Sequence, residues 1–248
     1  MTNNKKDYKL CLGEYYLSDQ ALTTLEGYPF PPNIKRLFCQ SNFLTNLRGC
    51  PEGITSLFCS ANKLTSLEGC PSSVVQLYCS NNKLTNLVGC PDSCLSIFCY
   101  SNELTSLVGC PSKLKHLDCQ HNLLTSLVGC PNTIAKLSCG HNKIATLRGC
   151  PLFLKELHCE ENELVSMEGC PPTIKHLTCE GNLLPEKWLY FNNGYRVDDI
   201  KCALFNYFAM KVGARLINEP STDEKWAELV QNMYRLGMEI SVQAEQKF

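Results

Sequence analysis

No sign of charge dominates this sequence. Its 23 Lys and Arg stand against 24 Asp and Glu, a formal net charge of −1 at pH 7. That balance gives no electrostatic footing for nucleic acid or for an anionic membrane surface, so neither is expected as a partner. Long apolar runs are missing as well, and no stretch reaches the ~18 apolar residues of a spanning helix. The N-terminal stretch carries lysines but no apolar core of roughly 7–15 residues, and does not read as a secretory leader. No N-x-[ST] sequon occurs. These absences make the cytoplasm the expected compartment, where thiols stay reduced. Signatures of catalysis are missing too: there is no P-loop, G-x-G-x-x-G, G-x-S-x-G or H-E-x-x-H. The expectation is a non-enzymatic chain without a cofactor.

What the sequence has in abundance is cysteine and repetition. Its 248 residues include 18 Cys. From Ile34 to about Leu183 a 20-residue period runs without insertion, as I-x-x-L-x-C-x-x-N-x-L-x-x-L-x-G-C-P-x-x. The Asn column is complete from Asn42 through Asn62, Asn82, Asn102, Asn122, Asn142 and Asn162 to Asn182. The Gly-Cys-Pro step recurs from Gly49-Cys50-Pro51 to Gly169-Cys170-Pro171. An irregular earlier copy, "ALTTLEGYPFPPNI", carries two extra residues, and Leu10, Leu12 and Leu17 read as a degenerate first strand. Atypical ends are expected of a stack that must be capped. The organisation is therefore an N-terminal cap over residues 1–33, eight repeats over 34–183, and a different segment over 184–248.

The stretch L-x-x-L-x-C-x-x-N-x-L resembles the leucine-rich-repeat signature, with Cys in the third apolar slot. The remainder, L-x-G-C-P-x-x-L, is similar to the short 20-residue class of bacterial effectors of the YopM and IpaH type. Cysteine-rich forms resemble repeats of giant DNA viruses of amoebae. The resemblance implies a solenoid with one short parallel strand per repeat on the concave face and an extended, irregular convex side. It says little about function.

Strand alternation then sorts the side chains. Within Leu114–Asn122, Leu114, Leu117, Cys119 and Asn122 should point inward, while His116 and Asp118 point out of the concave face. A polar inward Asn needs partners, which backbone groups of its own turn and of the adjacent repeat would supply. One cysteine column runs from Cys39 to Cys179 and the other from Cys50 to Cys170; Cys11, Cys94 and Cys202 stand outside them. Metal sites, disulfides and packing are the three uses open to them. Both columns occupy slots where relatives carry Leu. Stacked side chains point the same way with their Cβ atoms too far apart for a disulfide, and no C-x-x-C occurs. Packing is the expectation, with thiols acting as small apolar groups and no metal site.

The outward position between the second and third apolar slots reads Phe38, Phe58, Tyr78, Phe98, then Asp118, Ser138, His158, Thr178. Four successive aromatics, with Tyr100 beside their end, suggest a surface that binds a protein partner. Self-stacking that stabilises the sheet is the alternative. Asp118 and His158 would supply a polar end to the same site. All five histidines (His116, His121, His141, His158, His176) lie in the second half, beside several glutamates. His121 and His141, one repeat apart, could share an ion, although a solvated polar face is the simpler expectation.

Beyond residue 184 the period breaks. Val197, Ile200, Leu204, Phe208 and Val212 share a helical face. Pro220, then Ser221 with Glu224 as a capping box, precedes a second stripe of Trp226, Leu229, Val230, Met233 and Leu236. A C-terminal α-helical cap is expected, with a docking segment as the alternative. The function expected overall is protein–protein interaction through the concave face. A structural component of a virus particle and a ubiquitination adaptor acting through the tail are the alternatives.

Overall fold

Why twenty residues suffice for one complete turn follows from the local chemistry of each unit. A computed structural model describes residues 13–171 and 173–184. The expected tail helices, Leu10, Leu12, Cys11 and Cys202 lie outside the described residues. Nine three-residue strands appear: β1 (Glu14–Tyr16), β2 (Arg36–Phe38), β3 (Ser56–Phe58), β4 (Gln76–Tyr78), β5 (Ser96–Phe98), β6 (His116–Asp118), β7 (Lys136–Ser138), β8 (Glu156–His158) and β9 (His176–Thr178). They form one parallel sheet in chain order. From β2 onward each residue pairs with its equivalent one period on, as Leu37 does with Leu57. β1 pairs with β2 through Tyr15 and Leu37, so the two extra residues of the irregular copy are absorbed before β2. No helix occurs among the described residues, and turns form the side opposite the strands.

Two turns close each unit. After the strand, residues from Ser41 and Ala61 to His141 and Glu161 adopt φ between 51° and 57°, which brings the chain sharply round. The second turn is the Gly-Cys-Pro step. At Gly109, φ is +87° and an added Cβ would strike the backbone of Leu87 and Val88. Glycine is required there by the close approach of successive repeats as well as by its φ. After the proline, the Leu114 amide donates to the Pro111 carbonyl at 3.1 Å, and the next strand begins.

The interior consists of stacked columns. Leu37, Leu57, Leu77, Ile97 and Leu137 are fully buried, as are Leu44 to Leu124 and Leu47 to Leu147 at their own slots. The first cysteine column lies among them, Cys39 to Cys159 being fully buried. Burial in an apolar interior disfavours the thiolate, pushing Cys39 up to about 12 and Cys99 and Cys119 well above the ordinary range. The second column is half-buried at Cys70, Cys90, Cys110 and Cys130 and buried at Cys50, Cys150 and Cys170. These sulfurs occupy apolar slots, as the spacing argument requires.

The Asn column is the polar part of this interior. The Asn102 amide nitrogen donates to Cys79 O at 3.1 Å, Cys99 O at 3.0 Å and Tyr100 O at 3.4 Å. Its Oδ1 accepts the Leu84 amide at 3.0 Å. The same pattern repeats at Asn62, Asn82, Asn122, Asn142 and Asn162. The expected partners, carbonyls of the same turn and of the preceding repeat, are the ones found. Each asparagine ties two repeats by groups that burial would otherwise leave unsatisfied.

Candidate binding face

Adjacent parallel strands lie ~4.8 Å apart, close to the stacking distance of aromatic rings. A single aromatic column across such strands therefore becomes a stack. Phe38 and Phe58 lie 4.3 Å apart between centroids, Phe58 and Tyr78 4.4 Å, and Tyr78 and Phe98 4.6 Å. Their planes agree within 3–9°. Tyr16 extends the stack beyond its expected start, 4.5 Å from Phe38. Sequence reasoning missed Tyr16 because β1 lies 22 rather than 20 residues before β2. Its signal was the Tyr15-Tyr16 pair ahead of the irregular copy.

Phe38, Phe58, Tyr78 and Phe98 are half-buried rather than free on the surface, and Tyr16 is exposed. Phe38, Phe58 and Tyr78 each carry a ring on both faces, so they present edges to the concave space. Ring edges are the positive rim of the quadrupole. They suit carbonyl and carboxylate oxygens and aliphatic chains, and they offer no platform for a flat ring such as a nucleobase. Phe98 ends the stack, since its register partner is Asp118. Tyr100 stands beside that end, 40% exposed.

Beyond Phe98 the same column becomes polar. The half-buried Asp118 carboxylate accepts from the Gln120 amide at 3.3 Å and from Gln120 Nε2 at 3.1 Å. His158 Nδ1 lies 3.0 Å from Thr178 Oγ1, whose hydroxyl donates to Glu160 Oε2 at 2.8 Å. Because that hydroxyl proton is committed to Glu160, the Thr178 oxygen accepts from His158 Nδ1–H. Gly140 makes room for this network: an added Cβ would come within 2.7 Å of Glu160 Oε1. Lys136 pairs with Glu156 at 2.9 Å, and their hydrogen bond holds the Glu156 carboxyl below its usual range. The sheet thus brings six of the seven expected site residues into one column, with Tyr100 as its neighbour. Phe38 to Phe98 form a continuous stack, and Asp118 and His158 belong to separate small networks.

His121 and His141 stack with centroids 4.1 Å apart and planes within 8°. Parallel rings point their nitrogen lone pairs side by side, so this arrangement does not converge on a shared ion. Among the described residues, no group of three or more His, Cys, Asp or Glu side chains is placed to hold a metal. A second exposed apolar feature escaped sequence reasoning. Val88, Val108 and Val128 are 55%, 59% and 68% exposed in successive repeats, away from the strands. The same slot carries Arg48 paired with Glu68 at 2.6 Å before them and Arg148 paired with Glu168 at 3.1 Å after them. The signal was the L-V-G triplet of three successive repeats, overlooked because the period drew attention to the inward columns.

No family model matches the sequence, and no curated protein matches it. Solved structures do. YopM from Yersinia enterocolitica is 26% identical with a TM-score of 0.49, over 60% of this chain and 38% of that one. The leucine-rich-repeat domain of APL1B is 21% identical with a TM-score of 0.52, over 62% and 52%. The leucine-rich-repeat domain of a Shigella effector is 24% identical with a TM-score of 0.51, over 74% and 78%. The chain spans about half or less of the first two. At these identities the likeness concerns the fold: the described residues form a leucine-rich-repeat solenoid, a parallel β-solenoid of about eight regular turns.

Proposed function

We propose that the chain is a non-enzymatic protein–protein interaction module that holds its partner on the concave face. The observation that carries this reading is the ring stack from Tyr16 to Phe98, an aromatic ridge half-buried from Phe38 onward and open along its edges. Aromatic side chains bury much area at low entropic cost and dominate protein interfaces. The edges favour an extended protein segment whose aliphatic groups and backbone carbonyls lie across the strands. Phe38, Phe58, Tyr78, Phe98 and Tyr100 are its anchors. Asp118 and His158 add polar contacts that set its direction. The leucine-rich-repeat domains among the structural neighbours support a protein-binding use of the scaffold.

The valine stripe favours a second reading, docking on the opposite side. A photoreactive benzophenone side chain placed at position 100 or at position 128 separates the two. Cross-linking to the physiological partner from position 100 and not 128 is the expected outcome. Cross-linking from 128 alone would move the site to the valines and overturn the concave reading.

A further inference from the structure

The slot immediately before each Gly-Cys-Pro step forms a column of its own, away from the strands. Backbone hydrogen bonds hold its members one repeat apart: the Leu47 amide donates to Glu68 O at 2.8 Å, and the Leu87 amide to Val108 O at 2.9 Å. In chain order the column reads Arg48, Glu68, Val88, Val108, Val128, Arg148, Glu168. Each end carries Arg and then Glu, around an apolar centre. The three valines are exposed, and the four charged side chains are between 42% and 73% exposed. Each Arg is paired with the Glu one repeat on, at 2.6 Å for Arg48 with Glu68 and 3.1 Å for Arg148 with Glu168.

This order of side chains is complementary to its own reverse. Let a second copy lie against the column with its repeats running the opposite way, about a two-fold axis at Val108. Val108 then meets Val108 of the second copy, and Val88 meets Val128. Arg48 meets Glu168, and Glu68 meets Arg148. Every charge faces its opposite and every valine faces a valine. Each end becomes an alternating ring of Arg48 and Glu68 with the second copy's Arg148 and Glu168. A guanidinium has five N–H donors, so one Arg serves two carboxylates. The other arrangements are penalised. A parallel copy sets Arg on Arg and Glu on Glu. A slip of one repeat sets either Glu68 on Glu168 or Arg48 on Arg148, and a charge on a valine. The slots on either side carry no charge to disturb the match. Three residues earlier stand Thr45, Thr65, Thr85, Thr105, Thr125, Ala145 and Val165, and the residue after the column is glycine throughout.

We propose that this column is a self-recognition surface through which two copies of the chain associate antiparallel about Val108. The valines supply the apolar contact, and the charged ends fix direction and register. The surface is narrower than the ~20–30 residues a side of a standard stable interface, so the dimer is reversible and depends on concentration. It lies away from the strands and stands apart from the concave-face reading: either holds without the other.

Sedimentation velocity on the intact chain, from micromolar to sub-millimolar concentration, tests the proposal, with circular dichroism confirming the fold of each variant. A monomer–dimer equilibrium is expected, weakening as salt is raised. Exchanging the charges at one end, Arg48→Glu with Glu68→Arg, keeps the net charge and the ion pair within the chain. It sets like charges opposite Glu168 and Arg148 of the second copy, and self-association should weaken at least about 30-fold. Arg148→Glu with Glu168→Arg, at the other end, should do the same. Mixing the two exchanged variants in equal amounts should restore a dimer holding one of each, because every charge again faces its opposite. Val108→Asp places two carboxylates at the axis and should leave a monomer with unchanged thermal melting. A chain monomeric at every concentration, an exchanged variant that self-associates as tightly as the parent, or a mixture no more associated than its components would each overturn the proposal.

Discussion

The solenoid from β1 to β5 and the solenoid from β6 to β9 share one interior and present two different faces. Inward, the halves are interchangeable: Asn82 and Asn142 make the same bonds, and Cys59 and Cys139 fill the same slot. Outward, one column holds stacked rings in the first half and Asp118, Ser138, His158 and Thr178 in the second. The period constrains what points in and leaves free what points out. Folding chemistry is carried by columns common to both halves, and the proposed recognition by the column in which they differ.

The largest effect should come from breaking what the halves share. A thiol whose pKa is raised on folding keeps its proton in the native state while the unfolded chain loses it. The unfolded state then binds fewer protons, so stability falls as pH rises above the unfolded value near 9 and continues to fall towards about 12, where Cys39 ionises. Each such thiol costs about 1.4 kcal/mol per pH unit in that window. Several together outweigh a typical total stability of about 5–15 kcal/mol. Circular dichroism followed from pH 7 upward should show cooperative alkaline unfolding soon above pH 9, both halves melting together. A fold stable at pH 11 would contradict the neutral-thiol core.

A smaller loss should follow from single asparagines. Asn102→Ala and Asn142→Ala each remove one acceptor and a three-carbonyl donor, leaving buried backbone groups unpaired. A loss of about 3 kcal/mol is expected for each, measured by urea unfolding. Unequal losses would show that the halves do not share an equivalent interior.

The outward column should give the smallest and least symmetric effects. Phe58→Ala removes two ring contacts and Phe98→Ala one, so the first should cost about 1–3 kcal/mol and the second about half of that. Ser138→Ala, at the same slot in the polar half, should stay within about 0.5 kcal/mol. Equal costs at all three positions would erase the distinction between the faces.

Most of the fold was legible because its determinants recur. The Asn and Cys columns, the strand positions and the inward–outward alternation all follow from the 20-residue period. What was not legible depended on side-chain geometry or on departures from the period. Self-stacking of the aromatic row was the alternative the alternation left open, and the rings do stack; that their planes would lie face to face with only the edges exposed follows from ring geometry that alternation does not specify. Tyr16 was hidden by a two-residue extension. The valine stripe occupies a slot that is charged in the flanking repeats, so its apolar character is local. The parallel imidazoles of His121 and His141 were adjacent in sequence period, but their planes decide against a shared ion.

The most direct test compares partner affinity across three double variants, each checked for folding at the temperature of measurement. Phe58→Ala with Phe98→Ala should weaken binding by at least about 30-fold, the equivalent of about 2 kcal/mol. Asp118→Asn with His158→Gln should weaken it by less than the aromatic pair, and Val108→Ser with Val128→Ser should leave it unchanged. Full affinity in the aromatic double variant, with affinity lost in the valine one, would contradict the account.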